Sequence, residues 1–262
     1  MNKILLTGHN GFLGQYICQR ARQKNIQIIG VSRTINPELQ VTELQLDLSK
    51  DNFINQLNGH TFDGIVHLAA NGNIQDCEEN AAESQKINVQ ASRLLAEMAM
   101  QREIPMVFTS SDQVFDGSKG SYSPSDKAQP LNQYGMQKLK AEEEIIQVYP
   151  AAVVCRMPLM IGSLGGYERA LKESLKLAKP QVLFSDEVRS VLEAKDAAKL
   201  IIEALDWDGG VYHLPGPVDL NRHELGLILA TKYGLDLNLI QAGKQADMNL
   251  SVQRPKNATM VK

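Results

Sequence analysis

The sequence predicts an α/β fold, a doubly wound parallel sheet with a small C-terminal lobe. Three observations carry the prediction. Short apolar segments alternate with helical ones through the first 156 residues, a glycine-rich turn follows the first strand directly, and the alternation loosens after Pro158. Strands of this length separated by helices imply parallel pairing through right-handed crossovers.

The elements follow in order. Residues 4–7 read as a strand, and 12–24 as a helix whose core face is Leu13, Ile17 and Ala21. Residues 26–31 form the second strand and 44–48 the third. A buried strand at 64–69 precedes one long helix over about 81–100, and 104–109 is the next strand. A polar loop then leads to the helix carrying Tyr134 and Lys138, followed by a strand at 151–156. Beyond Pro158 the expected pieces are helices at 167–178 and 196–205, strands at 182–184 and 211–214, and a helix beginning near Asn221. Residues 1–156 are expected to form the dinucleotide-binding domain, with 191–212 returning to it, and 157–262 mostly a substrate lobe at the carboxyl ends of the strands.

The bulk numbers are those of an ordinary soluble domain: 262 residues, 43% hydrophobic, 22% charged, net charge −3. Such a charge gives no global attraction to nucleic acid or anionic membrane. No apolar run approaches the roughly 20 residues of a bilayer span. The N-terminus runs straight into a strand rather than a signal peptide. Cys18, Cys77 and Cys155 lie far apart without metal-ligand spacing and are expected as reduced, buried thiols of a cytoplasmic protein. His213 and His223 are expected to be structural, and Asp196 to cap its helix.

The turn is Thr7-Gly8-His9-Asn10-Gly11-Phe12-Leu13-Gly14. Its glycines follow a strand and open a helix, the context of a dinucleotide phosphate loop. Gly8 permits the tight turn, Gly11 lets the backbone approach a pyrophosphate, and Gly14 lets the helix pack on the strand. The helix N-terminus then faces the phosphates. The second strand ends in Val31-Ser32-Arg33-Thr34, without the acid that grips a ribose 2′-hydroxyl, and Arg33 suits a 2′-phosphate. NADP(H) is therefore expected, with NAD(H) left open. Asp47, beside Leu48 at the end of the third strand, could bond the adenine edge or cap a turn.

Tyr134 and Lys138 lie four residues apart and share a helix face. An ammonium held there is expected to lower the phenol's pKa for proton transfer.

Four segments together resemble an extended short-chain dehydrogenase/reductase of Rossmann-type fold. They are the glycine loop, Val66-His67-Leu68-Ala69-Ala70, Thr109-Ser110-Ser111-Asp112-Gln113-Val114-Phe115-Asp116-Gly117 and Tyr134 to Lys138. Within that superfamily, Val114-Phe115-Asp116-Gly117, Pro130-Leu131-Asn132-Gln133-Tyr134-Gly135 and Arg254-Pro255-Lys256-Asn257 are similar to the dTDP-4-dehydrorhamnose reductase branch. The likeness is strong to about residue 160 and patchy beyond. It implies that Ser111, with Ser110 as competitor, hydrogen-bonds a substrate carbonyl, that Tyr134 donates the proton, and that Lys138 tunes Tyr134 and binds the nicotinamide ribose. It further implies cofactor contacts from Asn10, Phe12 and Leu13 within the loop, from Ser32, Arg33, Asp47 and Leu48, from Ala69, Ala70 and Asn71, and from Asn88 and the backbone at Met157. Arg189 stands where related enzymes contact substrate, although Val191-Leu192-Glu193 departs from the branch's wording. Sugar-nucleotide dehydratases place Asp-Glu after the hydroxyl residue; here Asp112-Gln113 stands there, and an amide cannot shuttle a proton. The implied activity is reduction of a nucleotide-linked keto-sugar, with a homodimer compatible. An epimerase or a non-catalytic NADP-binding regulatory subunit remain the alternatives.

Overall fold

The computed structural model describes residues 1–50 and 52–261. The first half runs β1 (Lys3–Thr7), α1 (Phe12–Gln23), β2 (Gln27–Ser32), β3 (Thr42–Gln45), α2 (Phe53–Leu57), β4 (Gly64–His67), α3 (Ile74–Glu79), α4 (Ala81–Gln85), a π-helical turn (Lys86–Gln90), α5 (Ala91–Arg102), β5 (Met106–Ser111), α6 (Gln133–Val148) and β6 (Val153–Met157). The second half runs β7 (Leu159–Ile161), α7 (Gly166–Lys176), β8 (Gln181–Phe184), β9 (Val188–Glu193), α8 (Ala194–Glu203), β10 (Gly210–His213), β11 (Val218–Asn221), α9 (Arg222–Lys232) and β12 (Ile240–Gly243).

Seven strands form one parallel sheet in the order β10-β6-β5-β4-β1-β2-β3. Its middle strands are apolar runs because helices cover both faces. One face packs Leu13, Ile17 and Ala21 of α1 with Ala197, Ala198 and Ile201 of α8. The other packs Phe53 of α2, Leu95 and Ala99 of α5, and Ala141 and Ile145 of α6. The order reverses at β1, whose neighbours are β2 and β4, and the crevice beyond the carboxyl ends of β1 and β4 is the natural ligand position. The doubly wound parallel fold expected from the sequence is the observed one.

β10 returns to pair with β6, and α8 packs on α1. The rest of the second half gathers around a separate core of Leu171, Leu175, Leu225, Leu229 and Ile240, with a three-stranded sheet β11-β9-β7 and a parallel pair β12-β8. A C-terminal segment then straps lobe to sheet. Val188 N donates to Lys256 O at 2.7 Å, Asn257 N to Gly117 O at 3.1 Å, and Tyr122 N to Thr259 O at 2.8 Å. Gly117 and Gly120 must be glycine here: both have positive φ, and a Cβ on either would lie 2.6 Å from the strap. No helix among the described residues is long and apolar enough to cross a membrane.

Several expectations change. The third strand lies at Thr42–Gln45, upstream of 44–48, and the chain leaves it so that Leu46, Asp47 and Leu48 can line a cleft. The long helix over 81–100 is interrupted by the π-turn at Lys86–Gln90. Asp196 is not a cap, since α8 begins at Ala194 after Glu193 and Asp196 falls within its first turn. β7, β9, β11 and β12 carry no prediction. The three cysteines are free and buried, as expected.

Beneath the sheet's far edge lies a buried ion pair. Arg156 reaches Glu142 through Nη2 at 2.8 Å and Nε at 3.1 Å, with side chains 6% and 3% exposed. Its guanidinium also covers the Phe115 ring at 5.1 Å and touches His213 Nε2 at 3.4 Å. Burial, with Arg156 beside it, pulls His213 down to about 4, so the ring is neutral and structural. Arg156→Met strands the Glu142 carboxylate, and urea unfolding should show a loss of about 3–5 kcal/mol.

Candidate active site

The glycine loop has the form its spacing requires. Gly8 adopts φ +72°, and a Cβ there would lie 3.0 Å from Ala69 N. A Cβ on Gly14 would lie 2.3 Å from the Gly8 carbonyl oxygen, so only glycine lets α1 approach. Gly8 N bonds Val31 O at 2.8 Å and Gly11 N bonds Gly8 O at 2.9 Å. α1 starts without a side-chain cap and without an acid in its first turn, which leaves the positive end of its dipole to a ligand anion.

Neutral polar groups support the loop from below. Thr7 Oγ1 accepts from Leu68 N and Ala69 N, each at 3.2 Å, and therefore donates to His67 Nδ1 at 2.6 Å. His67 Nε2 then donates to Ser92 Oγ at 2.9 Å, which donates onward to Asn88 O at 2.9 Å. Burial, reinforced by nearby Lys138, pulls His67 down to about 3 and keeps this chain uncharged.

A cleft of about 820 Å³ opens over the loop. Gly8, Asn10, Gly11, Ser32, Arg33, Asp47, Leu48, Ala69, Ala70 and Asn71 all line it, as do Thr34, Asp76 and Ile87, which the sequence did not single out. Gly72-Asn73 before α3 was the available signal for Asp76: Asn73 Oδ1 caps the helix at Gln75 N and Asp76 N. Asn10 Nδ2 bonds Ser32 Oγ at 3.0 Å and Thr34 O, fastening the loop to the end of β2. The Arg33 side chain is exposed at the cleft and makes no side-chain hydrogen bond or ion pair among the described residues. Asp47 Oδ1 accepts from Ser49 N at 3.0 Å and Ser49 Oγ at 2.8 Å, bonds that hold its pKa below the usual carboxylate range.

Phe12, Leu13, Gly14, Asn88 and Met157 do not line the cleft, nor do Ser111, Tyr134 and Lys138. Leu13 and Met157 are core residues, 6% and 4% exposed. Phe12 packs edge-on against Tyr16 and over Gly165 and Gly166.

The chemistry-bearing groups meet where β5 ends against α6. Asn132 caps α6 by accepting from Gly135 N at 2.9 Å, and a Cβ on Gly135 would lie 2.3 Å from Gln113 O, so the helix presses directly on the loop after Ser111. Strand alternation separates the two serines. Ser110 is 3% exposed and donates to Glu142, away from the cleft, whereas the Ser111 hydroxyl meets the Tyr134 phenol. Burial pushes Tyr134 well above its ordinary value; the Ser111 bond pulls it down only in part, and Asp112 and Cys77 push it further up. The lowering expected from Lys138 is not seen. Lys138 Nζ instead donates to Thr109 O at 2.8 Å and sits 4.6 Å from the Phe108 ring centroid. Its own burial pulls it down to about 8 against the opposing pull of Glu142 and Cys77.

Asn88 explains the π-turn. Its Oδ1 accepts from Asn71 N at 2.7 Å while Nδ2 donates to Asn71 O at 3.1 Å and Gln137 Oε1 at 2.8 Å. It thus joins the cleft wall to the helix face between Tyr134 and Lys138. Arg189 is not offered to a ligand: it is 1% exposed, with Nη2 donating to Pro255 O at 2.9 Å and Nε 3.3 Å from Asp112 Oδ2. The expected substrate arginine is a buried tie.

Lys138 has a measurable signature. Its pKa of about 8 lies below the ordinary 10.5, so between those values the unfolded chain binds a proton that the folded one lacks, and stability rises with pH there. The unfolding free energy of the native protein relative to Lys138→Met should therefore increase from pH 8 to pH 10.5.

This geometry can be set beside known proteins. A probable low-salt glycan biosynthesis reductase of Haloferax volcanii is 26% identical over 97% of this chain and 88% of its own length. A dTDP-4-dehydrorhamnose reductase of Aggregatibacter actinomycetemcomitans is 25% identical over 99% and 90%. Methionine adenosyltransferase 2 subunit beta of Rattus norvegicus is 26% identical over 98% and 80%. Among solved structures, a dTDP-4-dehydrorhamnose reductase of Clostridium acetobutylicum superposes with a TM-score of 0.88 at 23% identity, covering 99% of this chain and 90% of that one. The Bacillus anthracis protein of the same name, in complex with NADP, gives 0.86 at 20% identity, covering 100% and 91%; both show a shared fold. Residues 1–262 match one family from end to end, and the chain belongs to the RmlD substrate binding domain family.

Proposed function

We propose that the protein is an NADP(H)-dependent reductase of a keto-sugar, with a nucleotide-linked 4-keto-6-deoxysugar as substrate. The observation that carries this reading is the placement of Ser111 beside Tyr134 at the carboxyl end of β5, one helical turn from Lys138 and tied to the wall of the glycine-loop cleft through Asn88, which bonds Asn71 and Gln137. Family membership supports it, as do relatives named as reductases and a relative structure that holds NADP.

The cleft fits a dinucleotide by shape, since a side chain at Gly8 or Gly14 would collide with backbone and no Cβ narrows the approach at either position. In this reading the backbone of Gly8, Gly11 and the first turn of α1 holds the pyrophosphate. Ser32 and Arg33 take the adenosine ribose and its 2′-phosphate, Asp47 and Leu48 the adenine, and Ala69 to Asn71 the cleft wall. Bound there, the reduced nicotinamide supplies the hydride. Tyr134 supplies the proton to the ketone oxygen, Ser111 gives that oxygen a second hydrogen bond as negative charge develops, and Lys138 bonds the ribose near the phenol. Burial keeps Tyr134 protonated until that step. Gln113, where a dehydratase would have Glu, leaves no second acid for water elimination.

The subunit beta relatives favour one second reading, a dinucleotide-binding regulatory subunit. Loss of NADPH absorbance with a panel of keto-sugar nucleotides separates the two, because cofactor binding without turnover, together with a co-purifying protein, would favour the subunit.

Tyr134→Phe should abolish turnover, at least a hundredfold by general-acid magnitudes of about 10²–10⁴, while NADPH still binds. Unchanged turnover would refute the assignment. Arg33→Ala should weaken NADPH binding by roughly 1–2 kcal/mol, the size of a charge-assisted bond, and leave NADH nearly untouched. Equal losses for both cofactors would remove the NADP preference.

A further inference from the structure

The loop after Ser111 contains a buried charge with no role in the mechanism so far. Asp112 follows the serine directly, with a side chain 7% exposed, and faces Arg189 of the lobe, whose side chain is 1% exposed. Around the pair stand Glu187, 3.6 Å from Arg189 Nη2, and Arg222, whose Nε bonds Glu187 at 2.9 Å. Arg189 Nη1 and Nη2 donate to Val188 O and Pro255 O, each at 2.9 Å, and its Nε lies 3.3 Å from Asp112 Oδ2. Taking four charges out of water is costly, and well-packed apolar residues would serve stability as well. The placement of this cluster against a reacting hydroxyl therefore calls for a second reason.

Counting protons on Ser111 Oγ supplies one. A serine hydroxyl has one donor and two acceptor positions. Gln113 N donates to Oγ at 3.2 Å, and Oγ donates to Asp112 Oδ1 at 3.3 Å. Tyr134 lies beside the same hydroxyl. The Ser111 hydroxyl is thus turned to Asp112, and Asp112 lies against Arg189 as an ion pair at 3.3 Å, with no hydrogen bond made to its Oδ2.

We propose that Asp112, ion-paired with Arg189, is a positioning residue that turns the Ser111 proton away from Tyr134 in the free site. At 3.3 Å the Ser111–Asp112 bond is long for O–H···O, which clusters near 2.7–2.8 Å, so it yields readily. When a ketone oxygen enters, Tyr134 turns its proton to it and Ser111 swings from Asp112 to the same oxygen. Asp112 keeps its ion pair with Arg189. Asp112 also pushes the Tyr134 pKa up, alongside burial and Cys77; burial raises the Asp112 carboxyl itself, with Glu187 pushing the same way, against the pull of Arg189, Arg222 and Ser111. The reacting step is that of the reductase reading, on which this assignment rests.

Asp112→Asn tests it. The amide must turn its oxygen to Arg189 and its NH₂ to Ser111, which reverses the serine and sends its proton towards Tyr134. The readout is the ¹³Cζ resonance of Tyr134 in tyrosine-labelled protein, assigned with Tyr134→Phe. The expected result is a changed shift at pH 7 and, with a keto-sugar nucleotide, a kcat at least tenfold lower at unchanged NADPH affinity. The alkaline limb of the kcat profile should also move down by about one pH unit, the effect of deleting one nearby charge. An unmoved Tyr134 resonance in the folded variant overturns the proposal whatever turnover does. Should Asp112→Asn fail to fold around its stranded arginine, Asp112→Asn with Arg189→Gln restores local neutrality, and the same resonance decides. A native protein that oxidises NADPH with none of the panel removes the reductase reading instead, and the resonance still decides the positioning role.

Discussion

The bond from Lys138 Nζ to the Thr109 carbonyl sets the geometry around it. An ammonium 2% exposed needs a strong acceptor, and the 2.8 Å contact to a strand carbonyl supplies one, with the Phe108 ring covering another side. That contact fixes the register of α6 on β5. Once it is made, Ser111 and not Ser110 faces the phenol, Glu142 lies beneath Ser110, and Gly135 abuts Gln113 O. An α6 turned by one residue would bury Leu139 where the ammonium now sits and lose every one of these pairings.

Around that bond the site keeps its polar groups by using neutral ones. His67, Thr7, Ser92, Asn88 and Gln137 form a continuous set of hydrogen bonds from the glycine loop to α6, all deep in the protein and none charged. Uncharged amides and hydroxyls cost less to desolvate than ions, and each here has its partner. The charged residues are held at the periphery of this layer, where Glu142 meets Arg156 and Asp112 meets Arg189.

Much of this was legible in the sequence. The middle strands are continuous apolar runs because both faces are covered, and the glycines at 8, 11 and 14 each answer a steric need that the structure displays. The cleft residues at the ends of β2 and β4 follow from topology alone. What stayed hidden was long-range. The π-turn leaves the helical period intact on either side, and its cause, Asn88 reaching Asn71 and Gln137, joins residues 17 and 49 positions apart. Arg189 has the residue type and neighbourhood of a ligand contact; its partners Asp112 and Pro255 come from distant segments, and no local pattern announces them. The lobe's strands are three to six residues long and pair with distant segments, too short for periodicity to speak.

The C-terminal strap has a bearing on motion. It is bonded at once to the lobe through Val188 and to the catalytic side through Gly117, Tyr122 and Asn132, while Arg189 plugs the lobe into the Asp112 loop. A lobe fastened at so many separate points does not swing as a lid about one hinge, for every fastening would have to break together. The lip at Gly8, Asn10, Gly11 and Ser32 to Thr34 lies apart from those fastenings, so the cleft already stands open without any swing of the lobe.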